Sequence, residues 1–521
     1  MASILKKLAG ETAIYGLSTI LARMINFFLV PFYTRILTRE SYGSYTEIMS
    51  YIAVLQVVLV LGLETGCFKF ANRIKNESPA AGSGSPDNQY TPFSSSFITV
   101  LFVAALFFGL LSLFSGPIAS GMGYKGFGSM IVYVGAILAL DSVTAILFAK
   151  LRYEQKALKF AIFKTIKILG ELGFNLVLFF YVPVLYLQHP DSFIFNFIPG
   201  IPHFSYIIFA VFLSCLLCAV LFIPDVIKMK LRFDLTLVKV MLVYSLPLMI
   251  AALPGIINES LDRILFRFLY PPQLDWRADL GVYQAAVKLA VIMNLFIQMF
   301  RYASEPFFFA REKERGSREL YAKIMDYFVA FCIFIFLGVL LFKDIICLIL
   351  GKDFRGAVGT LPFMLLAYMM VGMIFNVSMW YKLSGQTKMA IKITLTGLAV
   401  TAGVNLLLMP YIHYWASVAG HLLSALAMLL YSVWLGNKYY PIPYNWRRIT
   451  GIIALGIIIY IVAELIGLYL VGGGDAVGRR TLGSYICTML IGVAGLGVYC
   501  FAVYTLFKGR KTKAASVEKP L

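Results

Sequence analysis

The clearest chemistry in this sequence lies in one run near residue 170. Lys164, Lys167, Glu171 and Asn175 fall at i, i+3, i+7 and i+11 within an otherwise apolar stretch. On a helix that spacing makes a single stripe. Two ammonium groups one turn apart suit an anion, above all a phosphate, which lysine holds as a point charge. A carboxyl one turn further on can take up a proton or meet a small cation. An ionised side chain at the centre of a membrane helix costs about 2.5–3.5 kcal/mol on insertion scales, so such groups face a cavity or a partner. The plainer reading is mutual neutralisation along the helix, with Lys167 set against Glu171.

Other apolar runs carry similar groups. Arg23 has Thr19 and Asn26 on its own face, at i−4 and i+3. Glu259, Asp262, Arg263 and Arg267 follow one another toward one end of a later run, where Glu259 or Asp262 can neutralise Arg263. Gln284 and Lys288 enter the next run, with Gln298, Arg301 and Glu305 beyond them. Arg23, Asn26, Lys164, Lys167, Lys288 and Arg263 are therefore the expected substrate-binding residues, and Glu171, Glu259 and Asp262 the expected coupling-ion residues. Five cations (Arg23, Lys164, Lys167, Arg263 and Lys288) stand against those three carboxylates, which predicts a cationic cavity suited to a phosphate-bearing substrate. Pro31, Pro247 and Pro254 are expected bend points in their helices.

The elements that must position these groups are membrane helices. The chain has 521 residues, 60% hydrophobic and only 14% charged, with a mean hydropathy of +0.82. A soluble domain carries roughly 25% charged residues. Apolar runs of about 20 residues, each enough to cross a bilayer core, recur from 10–36 to 482–507, about fourteen in all. Lys6 and Lys7 precede the first run in the manner of a signal peptide. That run continues past Arg23 to Ile36 without a short core and cleavage site, so it is expected to be a retained first span.

The net charge of +19 is topological. With the N-terminus cytoplasmic and the spans alternating, 29 of the 45 basic residues fall on the inner side and 11 on the outer. By the positive-inside rule both termini are cytoplasmic, and nucleic acid is not an expected partner. Seven cysteines lie in or beside apolar helices, so no disulfide framework is expected, and Cys215-x-x-Cys218 reads as packing. His189, His203, His413 and His421 lack metal-ligand spacing.

An internal repeat organises the spans. The Tyr-small-Leu opening at Tyr15 recurs at Tyr244, an offset of 229; Phe70-Ala71 recurs at Phe309-Ala310, and the Gly-x-Asn-Leu of Asn175 recurs around Asn405. Gln155 is answered by Gln386. Near-constant offsets argue for duplication. Each half holds six spans, an even number, so the halves are parallel repeats about an axis along the membrane normal. The expected architecture is all-α and polytopic: an N-lobe at 1–232, a C-lobe at 233–436, and two extra helices with a tail at 437–521.

Enzyme signatures are missing. There is no G-x-x-x-x-G-K-[ST], no H-E-x-x-H and no Ser/His/Asp arrangement. Glu77 and Asp87 sit in or beside a Gly/Ser/Pro linker, and no loop is long enough for a catalytic domain. No enzyme activity and no cofactor are expected.

Three stretches resemble bacterial polysaccharide-biosynthesis flippases of the multidrug/oligosaccharidyl-lipid/polysaccharide exporter superfamily. They are Ala13–Leu17 through Asn26–Gly43, the Leu61-Gly-Leu-Glu-Thr sequence, and Asp262-Arg-Ile-Leu-Phe with Leu280-Gly-Val-Tyr283. The resemblance implies two six-helix lobes around a central cavity working by alternating access. It implies a cargo of undecaprenyl-pyrophosphate-linked oligosaccharide, the repeat unit of O-antigen, capsule or exopolysaccharide, moved from the inner to the outer leaflet of the cytoplasmic membrane. Cavity-lining basic residues of that family carry over to Arg23, Lys164, Lys167 and Lys288, with possible H+ or Na+ coupling. Expected partners are the lipid-linked substrate, membrane lipids, and glycosyltransferases or a polymerase of the same pathway. The competing readings are cation-coupled multidrug efflux and a non-transporting scaffold of envelope assembly.

Overall fold

In the computed structural model the described residues are 21, 24–25, 27–77, 89–196, 198–311, 314, 316–471 and 482–517. They form helices and connecting turns, with no strand among them. Among the described residues thirteen helices are long and apolar enough to cross a membrane, and a shorter apolar helix, α1 (Phe27–Ile36), precedes them. That is the all-α, multi-pass architecture expected from the hydropathy. A helix satisfies every backbone donor and acceptor internally, which is what a lipid environment demands of a spanning segment. The chain divides into two compact units. The first takes Met1–Leu29 and Ile36–Phe268, the second Val30–Arg35 and Leu269–Leu521.

Unit 1 is built on α2 (Arg39–Val60), α3 (Leu63–Glu77), α4 (Thr91–Leu113), α5 (Ser115–Gly121), α6 (Gly128–Tyr153), α7 (Ala157–Gln188), α8 (Phe204–Ile227) and α9 (Leu235–Leu269). Thr38 starts α2 as an N-cap, its hydroxyl accepting from the Ser41 N–H at 3.2 Å. The span turns at Leu61 and Gly62, both at positive φ (56° and 67°), before α3 resumes. The core stacks Ile48, Ile52 and Leu59 of α2 on Ile131 and Leu138 of α6 and Ile208 and Val211 of α8. A second cluster joins Phe97, Phe148, Phe222 and Met241, bringing in α4 and α9. Cys215 and Cys218 belong to these clusters, and both are buried free thiols.

The sequence sets the N-lobe at 1–232; the division into compact units falls between Phe268 and Leu269. The physical reason is the packing of α9. A Cβ on Gly62 would stand 2.5 Å from the Ser245 carbonyl oxygen, and one on Gly66 would run into the Ser245 hydroxyl. The helix backbones thus approach where both glycines present no side chain, the small-residue packing that membrane helices favour. Beside them the Lys69 ammonium sits 3.6 Å from the Tyr244 ring centroid. Tyr244-Ser245, at the start of the second Tyr-small-Leu motif, therefore packs α9 against α3.

Unit 2 contains α10 (Trp276–Ala310), α11 (Ser317–Leu341), α12 (Lys343–Ile346), α13 (Leu361–Val377), α14 (Met379–Leu383), α15 (Met389–Ile412), α16 (Tyr414–Tyr439), α17 (Trp446–Val471) and α18 (Leu482–Val517). Asp275 caps α10, accepting from the N–H groups of Arg277 and Ala278 at 2.9 and 3.2 Å. Residues Val30–Arg35 group here because Thr34 Oγ1 accepts from the Gly351 N–H at 3.1 Å and Arg35 donates to the Leu348 carbonyl at 3.3 Å. The two extra helices α17 and α18 pack on α11. Tyr499 donates to the Ala330 carbonyl at 2.7 Å, and Arg448 donates to Asp326 at 3.3 Å.

The repeated Gly-x-Asn makes the same local bond twice. Asn175 Nδ2 donates to the Glu171 carbonyl, and Asn405 Nδ2 donates to the Thr401 carbonyl, each at 2.8 Å and each four residues back. Both side chains are fully buried.

Candidate functional site

The lysine–glutamate stripe turns into unit 1. Lys164 sits with its ammonium 4.3 Å from the centroid of Phe148, a buried ring of α6. Lys167 Nζ donates to Asp141 Oδ1, also on α6, and the two make an ion pair with side chains 17% and 28% exposed. Glu171, one turn beyond, lies within electrostatic reach of both Lys167 and Asp141. The expected partner of Lys167 along its own helix is thus replaced by a carboxylate on the neighbouring one. A helix stripe identifies which residues share a face, and the facing helix decides which charges meet.

The same polar zone reaches α2 and α9. Tyr45 lies within electrostatic reach of Glu171 and Arg263 at once. Arg263 also acts on Tyr42, which is 1% exposed. Asp262 is fully buried next to Arg263 in the chain. α6, α7, α2 and α9 therefore bring Asp141, Lys164, Lys167, Glu171 and Arg263 into one electrostatic neighbourhood inside unit 1.

A second buried pair ties α9 to α2. Arg267 donates from Nε to Glu47 Oε1 at 2.5 Å and from Nη2 to Glu47 Oε2 at 2.8 Å. Its Nη1 donates to the Met122 carbonyl at 2.6 Å, and the Tyr124 hydroxyl donates to Glu47 at 2.6 Å. Glu47 is fully buried and both of its oxygens are engaged. This bidentate geometry belongs to arginine and is a complete structural clamp.

The remaining expected residues divide as follows. Glu259 is exposed. Lys288 is half-buried on α10, in unit 2. Arg23 and Asn26 lie outside the described residues. Sequence reasoning missed Asp141, Glu47 and Tyr45. Asp141 was the findable one: it is the single acidic residue in the apolar run 128–150, and a lone acid in such a run implies a partner.

These additions change the charge balance. Among the described residues, the unit 1 cluster sets Lys164, Lys167 and Arg263 against Asp141 and Glu171, three cations against two carboxylates. Asp141 thus takes up part of the cationic surplus expected from the sequence. No group of three or more His, Cys, Asp or Glu side chains suited to a metal ion occurs among the described residues.

The model of a family described as polysaccharide biosynthesis proteins matches residues 8–312, more than half of the chain. The chain belongs to the polysaccharide biosynthesis protein family. The match ends just beyond α10, so it covers the whole unit 1 cluster.

Among solved structures, the chain is similar to a lipid II flippase, MurJ, in its inward closed conformation. The TM-score is 0.68 at 14% identity, over 95% of this chain and 99% of that one. It is also similar to an inward-facing multidrug resistance MATE family transporter of the MOP superfamily, with a TM-score of 0.59 at 12% identity over 82% and 95%. A MATE protein solved in complex with MaD3S matches with a TM-score of 0.54 at 13% identity over 83% and 95%. No curated protein sequence matches the chain. At these identities the likeness establishes the fold: this polysaccharide biosynthesis family member folds like the MurJ and MATE structures.

Proposed function

We propose that the protein is a flippase that moves an undecaprenyl-pyrophosphate-linked oligosaccharide from the inner to the outer leaflet by alternating access. The oligosaccharide is the repeat unit of an O-antigen, capsule or exopolysaccharide. The observation that carries this reading is the pair of lysines one turn apart inside unit 1, one of them held by a carboxylate on another helix. Lys164 and Lys167 bind the pyrophosphate, assisted by Arg263, Arg23, Asn26 and Lys288. Membership of a polysaccharide biosynthesis family and a fold shared with a lipid II flippase support a lipid-linked substrate.

The near balance of charge in the cluster sets a physical condition on transport. A pyrophosphate brings negative charge into a low-dielectric site, where uncompensated charge is costly. Asp141 must therefore release Lys167 as the anion arrives, and a carboxylate must gain a proton or a cation to keep the balance. Glu171 is the assigned H+ or Na+ carrier, with Asp262 and the exposed Glu259 as further candidates. In this reading the protein lies in the cytoplasmic membrane with both termini cytoplasmic. It works without a cofactor or enzyme activity and beside the glycosyltransferases and polymerase of its pathway.

A second reading is cation-coupled drug efflux. It is favoured by the likeness to MATE transporters and by two carboxylates, Asp141 and Glu171, within one small cluster. Purified protein in sealed vesicles distinguishes the two. The flippase reading expects an undecaprenyl-pyrophosphate-linked sugar to reach the opposite leaflet while a cationic dye stays put. Dye transport without lipid-linked sugar transport overturns it, and transport of neither indicates a scaffold.

A further inference from the structure

At the end of unit 1 where α6 finishes, α7 begins and α8 finishes, an open pocket of about 310 Å3 is lined by Lys150, Lys156, Lys228 and Lys230 together with Glu154 and Asp225. Both carboxylates are already engaged. Glu154 is held by Lys156 at 2.7 Å and Lys150 at 3.7 Å, and Asp225 is held by Lys159 at 2.6 Å. The linker contributes to the arrangement: Gln155 adopts positive φ, 56°, so the chain doubles back and sets Lys156 against Glu154. A non-glycine residue in that region persists only where its surroundings hold it. Five lysines against two carboxylates leave an excess of positive charge in a concave site.

The flank of the pocket is apolar. Ile227, adjacent to Lys228, is 78% exposed, and Ile223 one turn before it is exposed as well. On α7, Leu158 is 68% exposed. Basic groups beside outward-facing aliphatic side chains, at the end of membrane helices, match both halves of a phospholipid. The lysines suit the phosphate and the aliphatic strip suits an acyl chain. A free phosphate ion would make no use of the strip.

We propose that this pocket holds the phosphodiester headgroup of an anionic phospholipid, with an acyl chain along Ile223 and Ile227. In the orientation proposed above, the lipid comes from the cytoplasmic leaflet. The bound headgroup bridges the α6–α7 turn to the end of α8, through Lys156 on one side and Lys228 and Lys230 on the other. The site is separate from the Lys164–Lys167 cluster and does not depend on what the protein transports.

The test uses the full-length protein, purified in detergent and mixed with phosphatidylglycerol or phosphatidylcholine, with bound lipid counted by native mass spectrometry. Wild type is expected to retain phosphatidylglycerol about tenfold better than phosphatidylcholine, in line with the attraction of several lysines for an anionic headgroup. Lys156→Gln/Lys228→Gln/Lys230→Gln removes that preference, while Lys388→Gln/Lys392→Gln in unit 2 keeps it. Lys228 is exposed and forms no ion pair among the described residues. Lys228→Gln alone is therefore expected to fold normally and to lower the preference about threefold. Equal retention of the two lipids, an undiminished preference in the variants, or displacement of the lipid by inorganic phosphate alone would each overturn the proposal.

Discussion

The Asp141–Lys167 pair separates a structural ion pair from a working one. Removing one partner of a fully buried pair costs roughly 3–5 kcal/mol, and an exposed pair is worth under about 1 kcal/mol. With side chains 17% and 28% exposed, this pair lies between those limits. Asp141→Ala and Lys167→Ala are each expected to cost about 2 kcal/mol of stability. Asp141→Ala/Lys167→Ala is expected to cost about 1–2 kcal/mol less than the sum, because neither charge is then left alone. Binding separates differently. Asp141→Asn frees Lys167 for the incoming anion, and releasing about 1.4 kcal/mol of competing attraction tightens pyrophosphate binding about tenfold. Lys167→Ala weakens it. The assay is titration of undecaprenyl pyrophosphate into purified protein in micelles, run beside thermal unfolding of the same samples. If Asp141→Asn and Lys167→Ala shift binding in the same direction, or if the stability costs simply add, the exchange of counter-ions at Lys167 is refuted.

Three further outcomes test the framework around the cluster. Gly66→Val places a branched side chain against Ser245 and Gly62→Ala puts a Cβ where φ is 67°. Each is expected to lower stability in thermal unfolding, Gly62→Ala by about 1–2 kcal/mol from backbone strain alone, whereas Gly255→Ala, with open space around it, has no such effect. Arg267→Ala strands the buried Glu47 charge and is expected to cost about 3–5 kcal/mol. Arg267→Lys recovers only part of this in unfolding measurements, because an ammonium cannot reproduce the fork. His203, just before α8, is held to a pKa of about 4 by burial, and its Nδ1 accepts from the Ser205 N–H. The unfolded chain therefore binds the extra proton first, at its ordinary pKa near 6.5. Stability is flat above that pH and falls as pH drops toward 4. His203→Asn should flatten this part of a stability–pH curve.

The hydropathy pattern carried the fold almost to completion, because a span must be long, apolar and helical before it can cross a bilayer. The periodic placement of Lys164, Lys167 and Glu171 likewise showed which residues share a face. What lay beyond the sequence was pairing between helices. Nothing in the local spacing joins Lys167 to Asp141, 26 residues away, or Arg267 to Glu47, 220 residues away. The sequence repeat and the compact units answer different questions. The repeated motif begins near Tyr244, whereas compactness follows contact, and Met241, Ser245 and Arg267 bind α9 to unit 1. The charge tally shifts for a related reason: a lone acid in an apolar run, Asp141, belongs to no stripe and meets Lys167 only across two helices.

Translocation by the charge variant in sealed vesicles tests the central claim most directly. Wild type and Lys164→Ala/Lys167→Ala are reconstituted at matched, correctly inserted amounts, and arrival of an undecaprenyl-pyrophosphate-linked oligosaccharide in the opposite leaflet is followed with a membrane-impermeant sugar-modifying reagent. Transport by wild type and its loss in the variant is the predicted result. Equal transport by both would contradict the assignment of these lysines as the pyrophosphate-binding groups.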